Sequence, residues 1–125
     1  MKKILFLIAI ILTFTNAAFA AFSDMPTDEI YATAINKLVD EKVINGYEDN
    51  TFRPENKITR AEFSKMIVTA ANLSESAESN FIDVSEEHWA KEYINNIYAS
   101  GLVEGYDDGT FRPDNSITRA ELATI

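Results

Sequence analysis

The chain has 125 residues, 20 of them acidic and 11 basic, and its formal net charge is −9 at pH 7. This balance argues against nucleic-acid binding and against adhesion to anionic lipid, because both need clustered lysine and arginine. With no cysteine and a single histidine, the sequence offers no disulfide framework, thiol nucleophile or zinc cluster, so we expect no enzyme, no metal site and no cofactor.

Residues 1–20 have the features of a secretory signal peptide. Two lysines precede an apolar run from Ile4 to Thr15, and Ala18-Phe19-Ala20 places small residues where a signal peptidase reads them. The alternative is a membrane anchor, but the run is shorter than the roughly 20 residues that a spanning helix needs. We expect cleavage, which leaves 9 basic and 20 acidic residues, a net charge of −11 and no later segment apolar enough to span a membrane.

The rest of the chain is two copies of one unit, 59 positions apart. Laying residues 22–66 on residues 81–125 needs no gap and gives 17 identities in 45. We therefore assign repeat 1 to residues 21–80 and repeat 2 to residues 81–125. Repeat 2 stops at the counterpart of Met66, so we expect it to be truncated and the chain to be a piece of a longer product.

Each unit is predicted to begin with a helix. Apolar residues at helical spacing indicate one from Ile30 in repeat 1, and another in repeat 2 that Ser85 caps and that includes Trp89. Gly101 lies where a helix often ends in a left-handed residue. Its counterpart is Lys42, and a lysine in that conformation would be strained by about 1 kcal/mol.

A turn and a second helix complete each unit. Asn50 and Gly109 suit the positive φ of the turn, and the phenylalanine two residues later is expected to pin the loop to the core. Thr59 and Glu62 form a capping box that starts the second helix, and the same pair recurs in repeat 2. Folding thus explains most of the shared Ile-Thr-Arg-Ala-Glu string, but not its arginine.

These motifs, in this order and spacing, resemble the S-layer homology repeat over essentially all of the mature chain. The residues that carry the resemblance are Phe81-x-Asp83-Val84, His88-Trp89-Ala90, Gly101-x-x-x-Gly105-Tyr106, Asp108-Gly109-Thr110-Phe111-x-Pro113 and Ile117-Thr118-Arg119-Ala120-Glu121.

The resemblance implies an all-α fold of tandem helix–loop–helix repeats that forms part of a pseudo-threefold helical bundle. It also implies a non-catalytic anchor at the cell wall that binds anionic secondary cell-wall polysaccharide, often pyruvylated and attached to peptidoglycan. Repeat 1 departs from the pattern at Glu29, Ile30 and Lys42, where repeat 2 has histidine, tryptophan and glycine.

Arginine at the first position of a helix faces the positive end of the helix dipole. Its presence there in both repeats suggests that the guanidinium binds a ligand carboxylate, although a salt bridge to Asp24, Asp83 or another acid would also explain it. Trp89 could stack on a sugar or belong to the core, and the two Gly-Tyr pairs could bind ligand or shape the loop. The predicted polymer-binding residues are Arg60, Arg119, Asp83, Trp89, Gly46, Tyr47, Gly105 and Tyr106.

Two further functions fit the same sequence. The repeats could associate with each other to build a surface layer, so self-association is a second partner hypothesis. Alternatively, the chain could anchor an exported enzyme whose catalytic domain lies beyond Ile125. Both alternatives keep the protein at the cell surface.

Overall fold

The computed structural model describes residues 22–75 and 77–123, so the predicted signal peptide lies outside the described residues. Within them the fold has four helices and no strand: α1 (Glu29–Asp40), α2 (Arg60–Ala70), α3 (Lys91–Ala99) and α4 (Arg119–Ala123). The all-α prediction is confirmed, with one helix–loop–helix unit in each repeat. No helix in this part of the chain has the length and apolar run that a membrane crossing requires.

The starts of the second helices follow the prediction. The Thr59 side chain accepts a hydrogen bond from the Glu62 N–H, and the Glu62 carboxylate accepts one from the Thr59 N–H at 2.7 Å. Thr118 and Glu121 exchange the same two bonds at the start of α4. Both capping boxes are therefore confirmed.

The left-handed positions are also confirmed. Lys42 has φ 59° and its counterpart Gly101 has φ 70°, while Asn50 and Gly109 in the turns have φ 61° and 79°. Each pair shares one backbone shape although one member is a glycine and the other is not.

The predicted start of the first helix in repeat 2 is wrong. α3 begins at Lys91 and Ser85 does not cap it, because residues 85–91 form successive turns instead. In these turns the His88 N–H donates to the Ser85 carbonyl and the Ala90 N–H donates to His88 Nδ1. Trp89 therefore precedes the helix.

The main hydrophobic core lies between the repeats. α2 belongs to repeat 1 but packs on α3 of repeat 2. Buried residues from α2, α3 and the loop of repeat 2 form a single cluster, in which Ile94 and Ile97 are fully buried and Phe111 is nearly so. Phe111 thus pins its loop to the core, as predicted.

Repeat 1 has a smaller core of its own around Ile35, Val43 and Ile44, against which Phe52 is packed. The predicted apolar stripe of α1 is only partly covered, because Ile30 and Tyr31 are 77% and 63% exposed. At the equivalent positions of repeat 2, just before α3, Ala90 is fully buried while Trp89 is exposed, so the two repeats differ at the Tyr31 position.

Candidate functional site

Asp83 holds the loop of repeat 2 in place. Its carboxylate accepts hydrogen bonds from the backbone N–H groups of Phe111 and Arg112, at 2.8 and 2.7 Å. Asp24 makes the same two bonds in repeat 1, and the donation from Phe52 N–H lowers the pKa of the Asp24 carboxyl. These bonds give both aspartates a structural role that accounts for their presence in the two repeats.

Gly46 and Gly105 are needed for close packing. A Cβ added to Gly105 would lie 2.1 Å from Cε1 of Phe81, and one added to Gly46 would lie 2.0 Å from Cε1 of Phe22. Such distances are far inside van der Waals contact, so only glycine lets the phenylalanine ring pack on the loop. The two glycines therefore have a packing role whether or not their amides meet a ligand.

Arg60 fastens repeat 1 to repeat 2. It is 5% exposed, and its Nε donates to the Phe111 carbonyl at 2.8 Å. One terminal nitrogen pairs with the Glu121 carboxylate at 3.1 Å, and the other donates to the Glu104 carbonyl at 3.2 Å. The salt-bridge alternative thus describes Arg60, with Glu121 as the acid.

The Tyr106 ring and the Glu121 carboxylate also lie around the Arg60 guanidinium. Its guanidinium carbon lies 5.0 Å from the centroid of the Tyr106 ring, within the range of a cation–π contact. The Tyr106 hydroxyl donates to Glu121 at 2.8 Å, which raises the tyrosine's pKa. The pKa of Glu121 is lowered to about 2, first because the Thr118 N–H donates to it and then because Tyr106 does.

Arg119 has the same repeat position as Arg60 but a different environment. It is exposed at the start of α4, and its side chain forms no hydrogen bond or ion pair with residues 22–75 or 77–123. Identical local sequence has therefore produced one buried arginine and one accessible arginine.

A narrow groove, the Arg60 groove, collects three of the predicted site residues. It has a volume of about 370 Å³ and is lined by Arg60, Gly105 and Tyr106 together with Glu121 and residues 101–104. Three of the five guanidinium N–H groups of Arg60 already donate to protein acceptors. Two acidic residues also line the groove, so its charge disfavours the binding of an anion.

A wider groove, the Trp89 groove, collects three others. It has a volume of about 780 Å³, and Gly46, Tyr47 and Trp89 line it with Lys65 and further residues of α2 and of the repeat 1 loop. Trp89 is 56% exposed and its ring is accessible; Tyr47 is 41% exposed, but the Arg53 guanidinium lies over its ring, 3.9 Å from the centroid. The Trp89 groove therefore contains both aromatic rings and basic side chains.

Two lysines that line the Trp89 groove were not among the predicted polymer-binding residues. Lys57 and Lys65 line it beside Arg53. Their counterparts in repeat 2 are Ser116 and Thr124, so a search for residues shared by both repeats passes over them. Glu48 and Glu62 also line the groove, and Arg53 pairs with Asp49 at 2.9 Å, so Lys57 and Lys65 carry the positive charge that the groove offers to a ligand.

The described residues contain no cluster of histidine and carboxylate side chains that could hold a metal ion.

A family model of the S-layer homology domain matches residues 21–64 and 80–123. The chain belongs to the S-layer homology family. This finding confirms the resemblance read from the motifs and the predicted cell-surface localisation, and it identifies the chain as a non-catalytic module of the kind that anchors proteins at cell surfaces.

Three relatives illustrate the match. Cell surface glycoprotein 1 of Acetivibrio thermocellus is 43% identical over 86 residues, which are 66% of this chain and 4% of that protein. The cellulosome-anchoring protein of the same organism is 37% identical over 110 residues, 83% of this chain and 24% of that protein. Exoglucanase XynX, also from Acetivibrio thermocellus, is 36% identical over 92 residues, 73% of this chain and 8% of that protein. The chain thus spans a small part of each relative's length.

Proposed function

We propose that this protein anchors itself to the cell wall by binding an anionic secondary cell-wall polysaccharide attached to peptidoglycan. The polymer lies in the Trp89 groove. The observation that carries the proposal is the exposure of Trp89 in one groove with Lys57 and Lys65, in a chain whose net charge is strongly negative. The name of the cellulosome-anchoring relative supports an anchoring role.

The chemistry of the groove suits an acidic glycan. Indole and phenol rings stack on the apolar faces of sugar rings, and Trp89 and Tyr47 present such rings. Lysine side chains attract carboxylates such as a pyruvyl ketal, and Lys57 and Lys65 supply that charge, whereas Arg53 already pairs with Asp49. The groove therefore offers both kinds of contact that a charged sugar needs.

The other predicted site residues contribute less directly. Gly46 lets the repeat 1 loop that lines the groove pack on Phe22, whereas Asp83 and Gly105 support the repeat 2 loop, which does not line it. Arg60 keeps two guanidinium N–H groups beyond those given to protein acceptors, so it remains a predicted secondary contact. Arg119 is accessible but does not line the Trp89 groove.

Cosedimentation with purified cell walls tests the proposal. The wild-type protein should be retained on complete walls and lost from walls stripped of their polymer. Trp89→Ala and Lys65→Ala should each weaken retention about tenfold or more, because each removes a contact at the centre of the interface. Equal retention on stripped walls would overturn polymer binding.

Two control variants locate the site. Ile82 is an exposed apolar residue of repeat 2, and Lys37 is an exposed lysine of α1; neither lines the groove. Ile82→Ala and Lys37→Ala should bind complete walls as the wild type does. If they weaken binding as much as the groove variants, the polymer does not lie in the Trp89 groove.

A further inference from the structure

Two of the four glycines in the chain follow an asparagine or an aspartate. The pairs are Asn45-Gly46 in repeat 1 and Asp108-Gly109 in repeat 2. Because glycine has no side chain to hinder ring closure, its backbone nitrogen can attack the side-chain carbonyl carbon of the residue before it and form a five-membered imide. The two pairs differ in whether their surroundings allow this reaction.

The Asp108-Gly109 pair is blocked. The Gly109 N–H donates to the Tyr106 carbonyl at 2.9 Å, so this nitrogen is already engaged. The Asp108 carboxylate accepts hydrogen bonds from the Thr110 hydroxyl and N–H, and the hydroxyl bond is the first cause of a pKa lowered to about 2. An ionised carboxylate repels a nucleophile and has no neutral leaving group, so this pair should be stable.

The Asn45-Gly46 pair is open. Asn45 is exposed, and the Gly46 N–H donates to no acceptor within residues 22–75 and 77–123. By contrast, the N–H groups of Ile44 and Tyr47, which flank the pair, both donate to backbone carbonyls. Gly46 therefore has the free backbone nitrogen that ring closure requires.

Lys65 contacts the group that this nitrogen would attack. With the Asn45 amide oriented so that its oxygen faces Lys65, Oδ1 accepts a hydrogen bond from Nζ at 3.0 Å and Nδ2 donates to the Ile44 carbonyl at 3.0 Å. The opposite orientation would set NH₂ against ammonium and oxygen against oxygen. An ammonium on the amide oxygen withdraws electrons from Cγ and stabilises the negative charge that develops on the oxygen during attack. Lys65 therefore favours the reaction of Asn45 with Gly46.

We propose that Asn45 is a site of deamidation and that its conversion weakens the binding of anionic polymer in the Trp89 groove. The Gly46 nitrogen gives its proton to solvent and attacks Asn45 Cγ. The N–Cγ bond forms, the Cγ–Nδ2 bond breaks, and Nδ2 takes a proton from solvent and leaves as ammonia. Water then adds to one carbonyl of the cyclic imide and opens it to aspartate or isoaspartate. Water is the only co-reactant, and no atom is oxidised or reduced.

Either product alters the Trp89 groove. Asn45 and Lys65 both line it, so a carboxylate at position 45 would lie against the Lys65 ammonium and offset one of the two lysines that attract a ligand anion. Isoaspartate adds a methylene to the main chain beside Gly46, whose bare Cα is packed on the Phe22 ring. Polymer retention should therefore fall as the protein ages. This consequence rests on the proposed function, whereas deamidation itself does not.

Peptide mapping by mass spectrometry follows the reaction in purified protein incubated for increasing times in mildly alkaline buffer. Asn45 should convert to aspartate and isoaspartate faster than Asn50, an exposed asparagine of the same loop that precedes a threonine. Asp108 should not isomerise. Conversion of Asn45 no faster than that of Asn50, or isomerisation of Asp108 at the same rate, would overturn the proposal.

Variants of the two groove lysines test the assisting cation. Lys65→Ala should slow conversion about three- to tenfold, less than the roughly 10²-fold lost from an enclosed oxyanion site, because Lys65 is partly exposed. Lys65→Arg keeps a cationic donor and should restore most of the rate. Lys57→Ala leaves the contact with Asn45 intact and should convert as the wild type does. A wild-type rate in Lys65→Ala would contradict the role of the cation.

Cosedimentation with complete cell walls tests the consequence for binding. Protein aged until Asn45 has converted should be retained less than fresh protein, and Asn45→Asp should bind as weakly as Lys65→Ala. Asn45→Gln cannot close a five-membered imide, so incubation should not reduce its own initial retention. Asn36→Asp adds the same charge on the exposed surface of α1, outside the groove, and should bind as the wild type does. Equal retention of fresh, aged and Asn45→Asp protein would overturn the effect on binding.

The outcomes separate this inference from the proposed function. If fresh protein is not retained on complete walls but Asn45 converts as expected, polymer binding fails, and with it the effect of deamidation on binding, while the reactive site itself is upheld. If fresh protein is retained and Asn45 is stable, polymer binding is upheld and deamidation is refuted.

Discussion

Lys42 and Gly101 occupy the same left-handed position at the ends of α1 and α3. Glycine adopts this backbone shape freely, whereas the Cβ of lysine crowds the following carbonyl oxygen. Nothing lies within 4 Å of a Cβ built on Gly101, so the position is sterically open and the strain at Lys42 is a backbone effect. The sequence predicts this strain, since the repeats align a lysine with a glycine.

Lys42→Gly should therefore stabilise the protein. We expect the free energy of unfolding to rise by about 0.5–1 kcal/mol, less than the full strain because glycine also loses more backbone entropy on folding. Urea unfolding of the variant and the wild type measures the change. The reciprocal variant Gly101→Lys should lose a similar amount, and a destabilised Lys42→Gly would contradict the explanation.

At the scale of the elements, α2 and α4 start with the same capping box but differ in how extensively they pack against the rest of the protein. α2 contributes Ala61, Phe63 and Val68 to the main core, while α4 is described for five residues and its start is exposed. Tertiary packing supplies most of the stability of a protein helix. The capping box of α2 is therefore coupled directly to the core, while that of α4 meets the contact between repeats through Glu121, which pairs with Arg60.

Thr59→Ala should cost about 1 kcal/mol of unfolding free energy, the usual penalty for removing a side-chain cap. Thr118→Ala removes the same hydrogen bond from α4 and should change stability by less than about 0.5 kcal/mol, because no described residue of α4 belongs to the main core and the Thr118 N–H that holds Glu121 remains. Chemical denaturation of both variants provides the comparison. Equal losses would mean that α4 supports the core as much as α2 does.

At the scale of the whole molecule, Arg60 is the charged side chain at the centre of the contact between repeats. Its three hydrogen bonds all reach residues of repeat 2, and the main core lies alongside them. Its removal would leave two carbonyls without their donors and Glu121 without its cation. Such uncompensated polar groups at a buried contact are costly.

Arg60→Ala should accordingly lower the unfolding free energy by about 2–4 kcal/mol, below the usual loss for a broken buried pair because Glu121 keeps other donors. Arg119→Ala is the matched variant, and it should change monomer stability by less than about 0.5 kcal/mol. Thermal and urea unfolding at low protein concentration keep association out of the measurement. A similar loss in both variants would show that burial of Arg60 does not matter.

The sequence alone was sufficient for the repeat, the family, the capping boxes and the left-handed turn positions. All of these depend on interactions between residues a few positions apart, which identical strings reproduce in each repeat. The start of α3 was mispredicted because the His88 ring and backbone turns compete with a Ser85 cap, and that balance is not visible in residue spacing.

The environments of Arg60 and Arg119 required the three-dimensional structure. The two side chains have the same neighbours in sequence, but one meets the loop of the following repeat and the other meets none in the described chain. Gly105 is similar: its need for a bare Cα comes from Phe81, 24 positions earlier. Contacts between distant segments decide which surface is buried and which is free to bind, and no local pattern encodes them.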